Sequence, residues 1–418
     1  MQKETTNPQR QLLSYPKTGF MTIGIIVDNE FYGDPRVNNE AKILHKSGFN
    51  VVVLCFNFEK FPATEKIEGI EIVRIPISKK KKNLLFGTMN TCPVYHWLWA
   101  KHIEKFIEKY SIDILHVNDL YMAKSAKMGT KTNKIPIVLD LHENYPAAIL
   151  SYNWAIRFPA RLIVRPQKWK RLEKKYLSYA DRLIVLSDTY KDDLLNKYSF
   201  LKPENITVYS NVPDLDELLS YPVDLTIFDK GDNFLLFYFG GISERRGIFT
   251  TLEALKILLK KDLAIKLLVI GPVDKADKPL FEACLQNNIF KDKVIHYPWK
   301  DISLFPSYVS ISDVCLSPIV KNDQHESGVA NKIFQYMLFE RPIIVSDCKP
   351  QVKIVEEGKC GLVFQSENAE DLAEKIKYLV TNKNSREEMG KKGKSEVMNK
   401  YNTKIFAQAL IKMYKKIL

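Results

Sequence analysis

The sequence predicts an α/β protein with two domains, each built on a doubly wound, mostly parallel sheet. The chain has 418 residues, which is enough for two domains at roughly 150 residues each. Short, nearly continuous apolar runs recur along it, as expected of strands that are buried on both faces of a parallel sheet. Amphipathic helical stretches alternate with these runs, which is the arrangement found in βαβ units.

The first series of elements opens with an apolar run at 21–27, which predicts a buried strand. After a polar loop, apolar residues at helical spacing predict a helix that ends at Gly48. Further strands are predicted at 51–55, 112–117, 135–140, 182–187 and 206–211. The polar stretch 213–231 then separates the two halves of the chain.

The second series opens with a strand ending in glycines, predicted at 234–241, and continues with a helix at 250–260. Further strands are predicted at 265–271, 294–296, 314–317 and 342–346. The last segment of the chain is predicted to be a helix, because apolar residues recur there at helical spacing. That helix could pack on either domain.

These elements divide the chain into four parts. They are a polar N-terminal tail at 1–20, a first Rossmann-like domain at 21–215, a second at 216–400 and a C-terminal helix at 401–418. Ligands of doubly wound sheets bind at the carboxyl ends of the strands. Since two such domains face one another, we expect the binding site in the cleft between them.

The composition indicates a globular protein with an acidic partner. Lys and Arg total 62 against 49 Asp and Glu, which leaves a formal charge of +13. Such an excess favours nucleic acid, anionic lipid or a phosphate-bearing ligand. The 22 Phe and 20 Tyr residues exclude intrinsic disorder of the whole chain.

The cysteines and the chain start predict a cytoplasmic protein. The six cysteines are Cys55, Cys92, Cys284, Cys315, Cys348 and Cys360. None forms a C-x-x-C pair, so we expect buried, reduced thiols, as in a reducing compartment. The polar start lacks the apolar segment of a secretory signal. No apolar run approaches the roughly 18 residues of a membrane helix, so the protein is expected to be soluble or bound to a membrane surface.

A glycine-rich loop at 240–247, read Gly-Gly-Ile-Ser-Glu-Arg-Arg-Gly, follows a predicted strand and precedes a helix. Glycines let a phosphate approach the backbone, and helix N-termini favour anions. Arg245 or Arg246 would add charge-assisted hydrogen bonds to a diphosphate. The alternative is an ordinary glycine turn with solvated arginines.

A second polar cluster lies at the start of a predicted helix. Glu326 and Ser327 precede this helix, while Asn331, Lys332 and Gln335 fall in its first turns. A carboxylate and an amide there could hold vicinal hydroxyls of a sugar or a ribose. The alternative is an exposed polar helix capped by Ser327.

A third cluster, Asp140-Leu-His-Glu-Asn-Tyr145, places His142 and Glu143 at the carboxyl end of a strand. Such groups are positioned for work in a cleft, although His142 could also be a satisfied structural histidine. The first loop, at 28–36, contains no G-x-G-x-x-G motif. A nicotinamide-cofactor site in the first domain is therefore not expected.

The ordered set of loop motifs resembles that of the retaining glycosyltransferases of family 4, which have the GT-B architecture of two Rossmann-like domains facing a central cleft. The resemblance covers roughly residues 21–400. Its motifs are Asp34-Pro-Arg-Val37 with Glu40-Ala41, Asp140-x-His-Glu143, Ala180-Asp181 with Ser187, Ser210-Asn-Val-Pro213, the loop 240–247, Ser312-Asp313 with Ser317-Pro318, Asn331-Lys-Ile-Phe-Gln-Tyr-Met337 and Arg341-Pro342.

The resemblance implies roles for individual residues and a nucleotide-sugar donor, such as a UDP- or GDP-sugar, held without a metal or cofactor. The catalytic residues it implies are His142 and Glu326. The donor-binding residues are Gly240, Gly241, Arg245, Arg246, Ser327, Gly328, Asn331, Lys332 and Gln335. The acceptor-side residues are Gly33, Asp34, Arg36, Asp119 and Glu143.

Two departures from the family pattern bear on activity. Gly241 stands where the family often has an arginine, and the usual pair of glutamates is here Glu326 and Gln335. An amide still hydrogen-bonds a hydroxyl but carries no charge. Three alternatives therefore stay open. The protein could be a weak or inactive transferase, a non-catalytic partner subunit or a nucleotide-sugar 2-epimerase.

Two basic clusters fall in the first domain, which takes the acceptor in this family. One is the lysine run Lys79, Lys80, Lys81 and Lys82, and the other runs from Arg157 to Lys175 with interleaved aromatic residues. Basic residues beside aromatics suit an anionic bilayer surface, although charge runs also occur as solvated faces. No nucleic-acid-binding module is recognised. We therefore expect a glycan or lipid-linked acceptor and a peripheral position on the inner face of the plasma membrane.

Overall fold

The computed structural model describes residues 21–59 and 61–417, which form two α/β domains with one sheet each. The predicted N-terminal tail at 1–20 lies outside the described residues. The first sheet has eight strands in the order β3-β4-β2-β1-β5-β6-β7-β8, all parallel to their neighbours except the antiparallel pair β3 and β4. Its strands are β1 (Thr22–Val27), β2 (Asn50–Asn57), β3 (Thr64–Ile67), β4 (Ile70–Pro76), β5 (Ile114–Asn118), β6 (Ile137–Asp140), β7 (Arg182–Val185) and β8 (Ile206–Val208).

The second sheet has six strands, all parallel, in the order β11-β10-β9-β12-β13-β14. Its strands are β9 (Phe234–Phe239), β10 (Ile265–Ile270), β11 (Val294–Tyr297), β12 (Val314–Ser317), β13 (Ile343–Ser346) and β14 (Gly361–Phe364). Each sheet reverses its strand order at its first strand, β1 or β9. Such a switch point is where doubly wound sheets bind ligands.

Helices cover both faces of each sheet. Those of the first half are α1 (Pro35–Lys46), α2 (Lys79–Thr88), α3 (Val94–Tyr110), α4 (Ala123–Gly129), α5 (Tyr145–Ser151), α6 (Asn153–Ile156), α7 (Ala160–Val164), α8 (Trp169–Leu177), α9 (Asp188–Lys197) and α10 (Leu215–Ser220). Those of the second half are α11 (Ile248–Leu259), α12 (Lys278–Leu285), α13 (Phe305–Ile311), α14 (Asn331–Leu338), α15 (Lys349–Gly358), α16 (Ala369–Thr381), α17 (Lys383–Asn399) and α18 (Thr403–Ile417).

The predicted fold class is confirmed, and the long apolar runs are strands as expected. The sequence pattern missed β3 and β14, which are edge strands of their sheets, and β4, which lies next to β3. In β3 exposed residues alternate with half-buried ones, so no continuous apolar run marks it. The helix stop at Gly48 is confirmed, because this residue has a φ of +92° just after the end of α1.

The second domain begins earlier than the predicted boundary at 215/216. Val212, Leu215 and Leu218 belong to the hydrophobic core of the second domain. The C-terminal helix α18 returns to the first domain, where Leu410 and Tyr414 pack in the core beneath β1 and β2. The chain therefore passes between the domains twice.

All six cysteines are free. Cys55, Cys315, Cys348 and Cys360 are buried as expected, but the expectation is wrong for Cys92, which is exposed, and Cys284 is half-buried. Cys92 lies in the turn between α2 and α3, outside any core element. Among the described residues, no helix has the length and apolar character needed to cross a membrane.

Candidate active site in the cleft between the domains

The loops of the two domains meet across the cleft through direct hydrogen bonds. The Gln324 side chain donates from Nε2 to Glu143 Oε2 at 3.0 Å and accepts from Ser151 Oγ at 3.0 Å. The Ser187 hydroxyl donates to the backbone oxygen of Ser327 at 2.8 Å. The segment just before α14 is therefore held against the first domain, which brings the predicted donor and acceptor residues to one place.

A buried guanidinium lies beneath the cleft. Arg36 donates from Nε and Nη2 to the two oxygens of Asp140, at 3.0 and 2.9 Å. Its Nη1 donates to the backbone oxygen of Tyr209 at 2.8 Å and to Asn211 Oδ1 at 3.0 Å. Because these donors are used internally, Arg36 orients the acceptor side indirectly and has little capacity left to bind an acceptor.

His142 is a protonated side chain at neutral pH. Its Nε2 lies 3.1 Å from Asp140 Oδ2, and its Nδ1 lies 3.9 Å from Asp34 Oδ2. Burial works against the charged ring, but Asp140 and Asp119 outweigh it and raise the pKa of His142 to about 9. As an imidazolium, His142 can donate a hydrogen bond to a sugar hydroxyl but cannot serve as a base.

A fully buried polar cluster extends from Asp140 to the C-terminal helix. His116 Nε2 lies 3.4 Å from Glu40 Oε2 and 4.0 Å from Asp140 Oδ2, and its Nδ1 bonds the Tyr414 hydroxyl at 2.5 Å. The ligand atoms of Glu40, His116 and Asp140 lie within 4.8 Å of one another, as metal ligands would. The Nε of Arg36 already faces Glu40 Oε1 at 3.1 Å, so the cation of this cluster is the guanidinium.

Burial shapes the charge of this group. It raises the pKa of Glu40 well above its ordinary value, since neighbouring Asp140 adds to the effect and Arg36 only partly opposes it. Burial also lowers the pKa of His116 to about 4. Although burial opposes the charge of Asp140, Arg36 and His142 hold its pKa well below the usual range. Asp140 is therefore the carboxyl group of this cluster that stays ionised.

Asp119 and Glu143 form the acidic side of the cleft. Asp119 has a φ of +70°, and its Oδ2 accepts from the Tyr121 hydroxyl at 2.8 Å. Burial raises the pKa of Asp119 to about 7, against the opposing charge of His142. Burial also raises the pKa of Glu143, whose Oε2 accepts from the Tyr152 hydroxyl at 2.8 Å. The remaining acceptor-side prediction, Gly33, ends a 3-10 helix (Phe31–Gly33) directly before α1.

The path of the glycine loop is set by positions that only glycine fits. Gly247 has a φ of +75°, and a Cβ there would lie 1.7 Å from the backbone oxygen of Pro318. Gly271, in the neighbouring loop, has a φ of +151°, and its Cβ would lie 2.0 Å from the backbone oxygen of Gly240. By contrast, a Cβ at Gly241 would meet open space. The loop is therefore closely packed at Gly240 and Gly247 and has open space at Gly241.

Arg245 and Arg246 carry the positive charge of this loop. Burial and then the charge of Arg245 lower the pKa of Arg246. The Nη1 of Arg245 is buried without a hydrogen-bond partner, and its guanidinium carbon lies 5.9 Å from the ring centroid of Tyr152. Neither arginine forms an ion pair with a residue in the described ranges, so donors in this loop are left free for an anion.

Lys332 adds a buried amino group on the first turn of α14. Lys332 is 8% exposed, and its Nζ lies 3.9 Å from the ring centroid of Tyr238. Burial lowers the pKa of Lys332 well below its ordinary value, and repulsion by Arg246 adds to this. Within 21–59 and 61–417 it has no carboxylate partner. A buried lysine without a counter-ion points to a site that an anionic ligand completes.

Of the polar residues around α14, Glu326 contacts the start of α15, whereas Asn331 and Gln335 lie on α14 itself. Glu326 faces the start of α15, where its Oε1 accepts from the backbone N–H of Lys349 at 3.1 Å and its Oε2 lies 3.7 Å from Lys349 Nζ. Asn331 is exposed and Gln335 half-buried on α14. The structure thus places the Glu326 carboxylate at a helix N-terminus, which stabilises a negative charge.

The alternative interpretation of Ser327 as a helix cap is wrong. Ser327 ends a 3-10 helix (His325–Ser327), and α14 begins at Asn331 with Ala330 in the N-cap position. The hydroxyl of Ser327 donates to the backbone oxygen of Gln324 at 2.6 Å. Gly328 lies against the first domain, because a Cβ there would come within 2.9 Å of Leu186 Cδ1.

Three cavities are lined by residues of both domains along the cleft. The largest, about 580 Å³, is lined from the first domain by Tyr152 and Trp154 and from the second by Ser243 and Arg245. A cavity of about 540 Å³ includes Glu326, and one of about 230 Å³ joins Asp34 to Asn331. The first volume is within the roughly 300–1,000 Å³ of small-molecule sites.

The motifs did not indicate Tyr152, which binds Glu143 within the first domain, or Gln324, which binds Glu143 across the cleft. Tyr152 falls nine positions after Glu143 in a short helical region, and Gln324 lies 181 positions away. Gln324 precedes Glu326 by two residues, so its place in the same loop was the one available signal. Its partner could not be inferred, because the contact depends on how the two domains meet.

Two stretches of the chain match known protein families. Residues 36–217 match the family described as Glycosyltransferase Family 4, and residues 226–396 match the family described as Glycosyl transferases group 1. The chain belongs to the glycosyltransferases of family 4. The two matches together cover most of the chain.

Curated relatives share part of its length. The capsular polysaccharide biosynthesis glycosyltransferase CapM of Staphylococcus aureus is 26% identical over 193 residues, which are 44% of this chain and 46% of CapM. A poly(ribitol-phosphate) alpha-N-acetylglucosaminyltransferase of S. aureus (strain COL) is 24% identical over 253 residues, which are 59% of this chain and 47% of that enzyme. The chain thus spans about half the length of these relatives.

Solved structures agree in fold. Sucrose-phosphate synthase from Thermosynechococcus elongatus is 19% identical, with a TM-score of 0.74 over 95% of this chain and 99% of that chain. Anabaena HepE in complex with UDP is 13% identical, with a TM-score of 0.70 over 95% of this chain and 100% of that chain. At these identities the likeness establishes the GT-B fold alone.

Proposed function

We propose that this glycosyltransferase moves a sugar from a nucleotide-sugar donor to a glycan or lipid-linked acceptor, with retention at the anomeric carbon, in cell-surface polysaccharide or glycolipid synthesis. The observation that carries the proposal is the free positive charge at the donor loop. Lys332 is buried and Arg246 half-buried, neither forms an ion pair with a described residue, and the buried Nη1 of Arg245 has no hydrogen-bond partner there. A diphosphate supplies the missing negative charge and hydrogen-bond acceptors.

These cations also suit the bond-breaking step. The bond between the anomeric carbon and the diphosphate breaks, and the leaving diphosphate takes the electron pair. The acceptor hydroxyl attacks from the same face and passes its proton to the leaving phosphate oxygen, which gives retention. Because Arg246 and Lys332 are already in place, the growing charge is stabilised without a metal ion.

On the other side of the cleft, His142 has the protonation state to hold the sugar. Its imidazolium donates a hydrogen bond to a donor hydroxyl, while Asp140 balances its charge 3.1 Å away. Burial raises the pKa of Asp119 to about 7, so this acceptor-side carboxyl group titrates near neutral pH. Gln335, where the family has a glutamate, then offers an amide to the donor instead of a charge.

The exposed surface of the first domain supports a membrane-proximal acceptor. Leu84 is 66% exposed on α2, while Phe158 is 73% and Ile163 47% exposed near α7, which packs against α2. Lys79, Lys80 and Lys81 are exposed beside them, as are the basic residues from Arg157 to Lys175. Lys82 instead turns inwards to Asp28 at 3.3 Å. We place the protein in the cytoplasm, on the inner face of the membrane.

Calorimetric titration with UDP and GDP, with and without EDTA, tests the donor site. Binding of one nucleotide is expected to survive EDTA and to weaken at least about tenfold in Arg246→Ala and Lys332→Met, since each removes a charge-assisted contact. Lys377→Ala is the control, because Lys377 is an exposed lysine on α16 of the same domain. Equal affinity in all four proteins would rule out the donor site described above.

A product assay separates transfer from the alternatives. With the nucleotide sugar identified by binding, NMR of the new linkage is expected to show the anomeric configuration of the donor. Free epimerised nucleotide sugar formed without acceptor would instead indicate an epimerase. Nucleotide binding without turnover, regained in Gln335→Glu, would indicate that the amide has reduced the activity.

A further inference from the structure

An apolar groove of about 420 Å³ lies on the first domain, outside the cleft. Its apolar wall consists of Leu150, Ile156, Leu162 and Pro166. Leu162 is 59% and Ile156 37% exposed, so the wall of the groove is open to the surface. A groove of this size and character fits a hydrocarbon chain rather than a sugar ring.

The rim of the groove is cationic. Arg161, Arg165 and Lys168 contribute to the same lining, and no acidic side chain does. Lys168 donates from Nζ to the backbone oxygen of Asn90 at 3.0 Å. Arg161 and Arg165 form no ion pair within the described ranges and are both exposed. The combination of an apolar wall and two unpaired guanidinium groups is complementary to a chain that ends in a phosphate.

The groove and the cleft share one stretch of backbone. Leu150 and Ile156 line the groove, whereas Tyr152, Trp154 and Arg157 line the 580 Å³ cavity between the domains. Since these residues alternate within one short segment, the groove and this cavity of the cleft lie on its two faces. A ligand with its chain in the groove can therefore carry a polar head over the edge of the cleft.

We propose that this groove binds the hydrocarbon chain of a single lipid phosphate, with the phosphate on Arg161 and Arg165, and that this lipid anchors the acceptor. The proposal rests on the transferase function proposed above and names the chemical class of its acceptor: an isoprenoid or acyl chain joined through phosphate to the group that receives the sugar. A bilayer surface alone would engage Phe158 and Ile163 as much as Leu162, because all three are exposed.

The probes are farnesyl phosphate, farnesol and inorganic phosphate, titrated calorimetrically against the full chain below the micelle concentration. Farnesyl phosphate is expected to bind at least about tenfold more tightly than either fragment, since chain and phosphate each contribute. Leu162→Gln and Arg161→Gln are each expected to weaken it about tenfold. The matched controls are Ile163→Gln, on the same helix, and Arg171→Gln, in the same basic segment, which are expected to bind as the wild type does.

Two results would refute the proposal that the groove binds a lipid phosphate. One is equal binding of farnesyl phosphate, or none, in the wild type and all four variants. The other is sedimentation with phosphatidylglycerol vesicles that falls equally in Leu162→Gln and Ile163→Gln while farnesyl phosphate does not bind. Titration of the same proteins with UDP and GDP keeps the two proposals apart, because Arg246 and Lys332 lie in the other domain. If neither nucleotide binds while farnesyl phosphate does, the donor site is refuted and the groove is not.

Discussion

Removal of the Arg36 guanidinium is expected to destabilise the first domain strongly. Arg36 is joined to Asp140 by two hydrogen bonds and to the loop after β8 by two more. The side chain of Arg36 is 9% exposed and that of Asp140 0%. Breaking a buried pair leaves an uncompensated charge, which costs about 3–5 kcal/mol. At roughly 2–4 °C per kcal/mol for a domain of this size, Arg36→Ala lowers the melting temperature by about 10 °C.

A matched control lies on the same helix. Lys42 pairs with Glu68 at 2.9 Å, the same distance as that between Arg36 and Asp140, but their side chains are 39% and 55% exposed. An exposed pair contributes less than about 1 kcal/mol, so Lys42→Ala is expected to shift the urea midpoint only slightly.

The assays are thermal unfolding and urea unfolding at pH 7, each followed by circular dichroism. A double variant, Arg36→Met with Asp140→Asn, is expected to lose less stability than the sum of its single changes, because each single change leaves a buried partner unsatisfied. If Arg36→Ala and Lys42→Ala shift the midpoint equally, or if the double variant is strictly additive, burial of the ion pair is not what stabilises this part of the domain.

Three other outcomes are expected. By NMR, His142 titrates with a midpoint of about 9. That lies above its ordinary value of about 6.5, so the stability it contributes is complete below about pH 6.5 and is lost as the pH rises through 9. Gly247→Ala unfolds at lower urea, because its Cβ would meet Pro318, whereas Gly241→Ala does not. Glu40→Gln becomes more stable relative to the wild type as the pH rises above about 4.3, because burial raises the pKa of Glu40; equal differences at pH 5 and pH 8 would contradict this.

Local patterns were sufficient for most of the fold, because a central parallel strand is apolar along its whole length. The edge hairpin of β3 and β4 escaped notice, since Glu65, Lys66 and Arg74 interrupt its apolar pattern. The placement of α18 could not be inferred either. Its amphipathic face shows that it packs on a core but does not show which core.

The candidate site was predictable in its residue identities more than in its connections. The motif residues converge on the cleft, but the hydrogen-bond partners of Arg36 lie 104 to 175 positions away in the chain. Glu40, four residues after Arg36, is an ion-pair partner that the spacing could indicate, but it does not reveal the contact with Asp140. The unpaired state of Lys332 was equally hidden, because it depends on which carboxylates the fold keeps away from it.

The double passage of the chain between the domains restricts how they separate. One passage leads into α10 and the other into α18, and Lys404 Nζ lies 3.0 Å from Asp216 Oδ2, so an ion pair joins the two. Two connections side by side act as a hinge, which permits rotation about the line through them but little sliding or twisting. Product release would then depend on how far the two domains rotate apart about this hinge. A covalent crosslink between positions 216 and 404 would leave that rotation free, whereas one between positions 143 and 324, across the mouth of the cleft, would stop it.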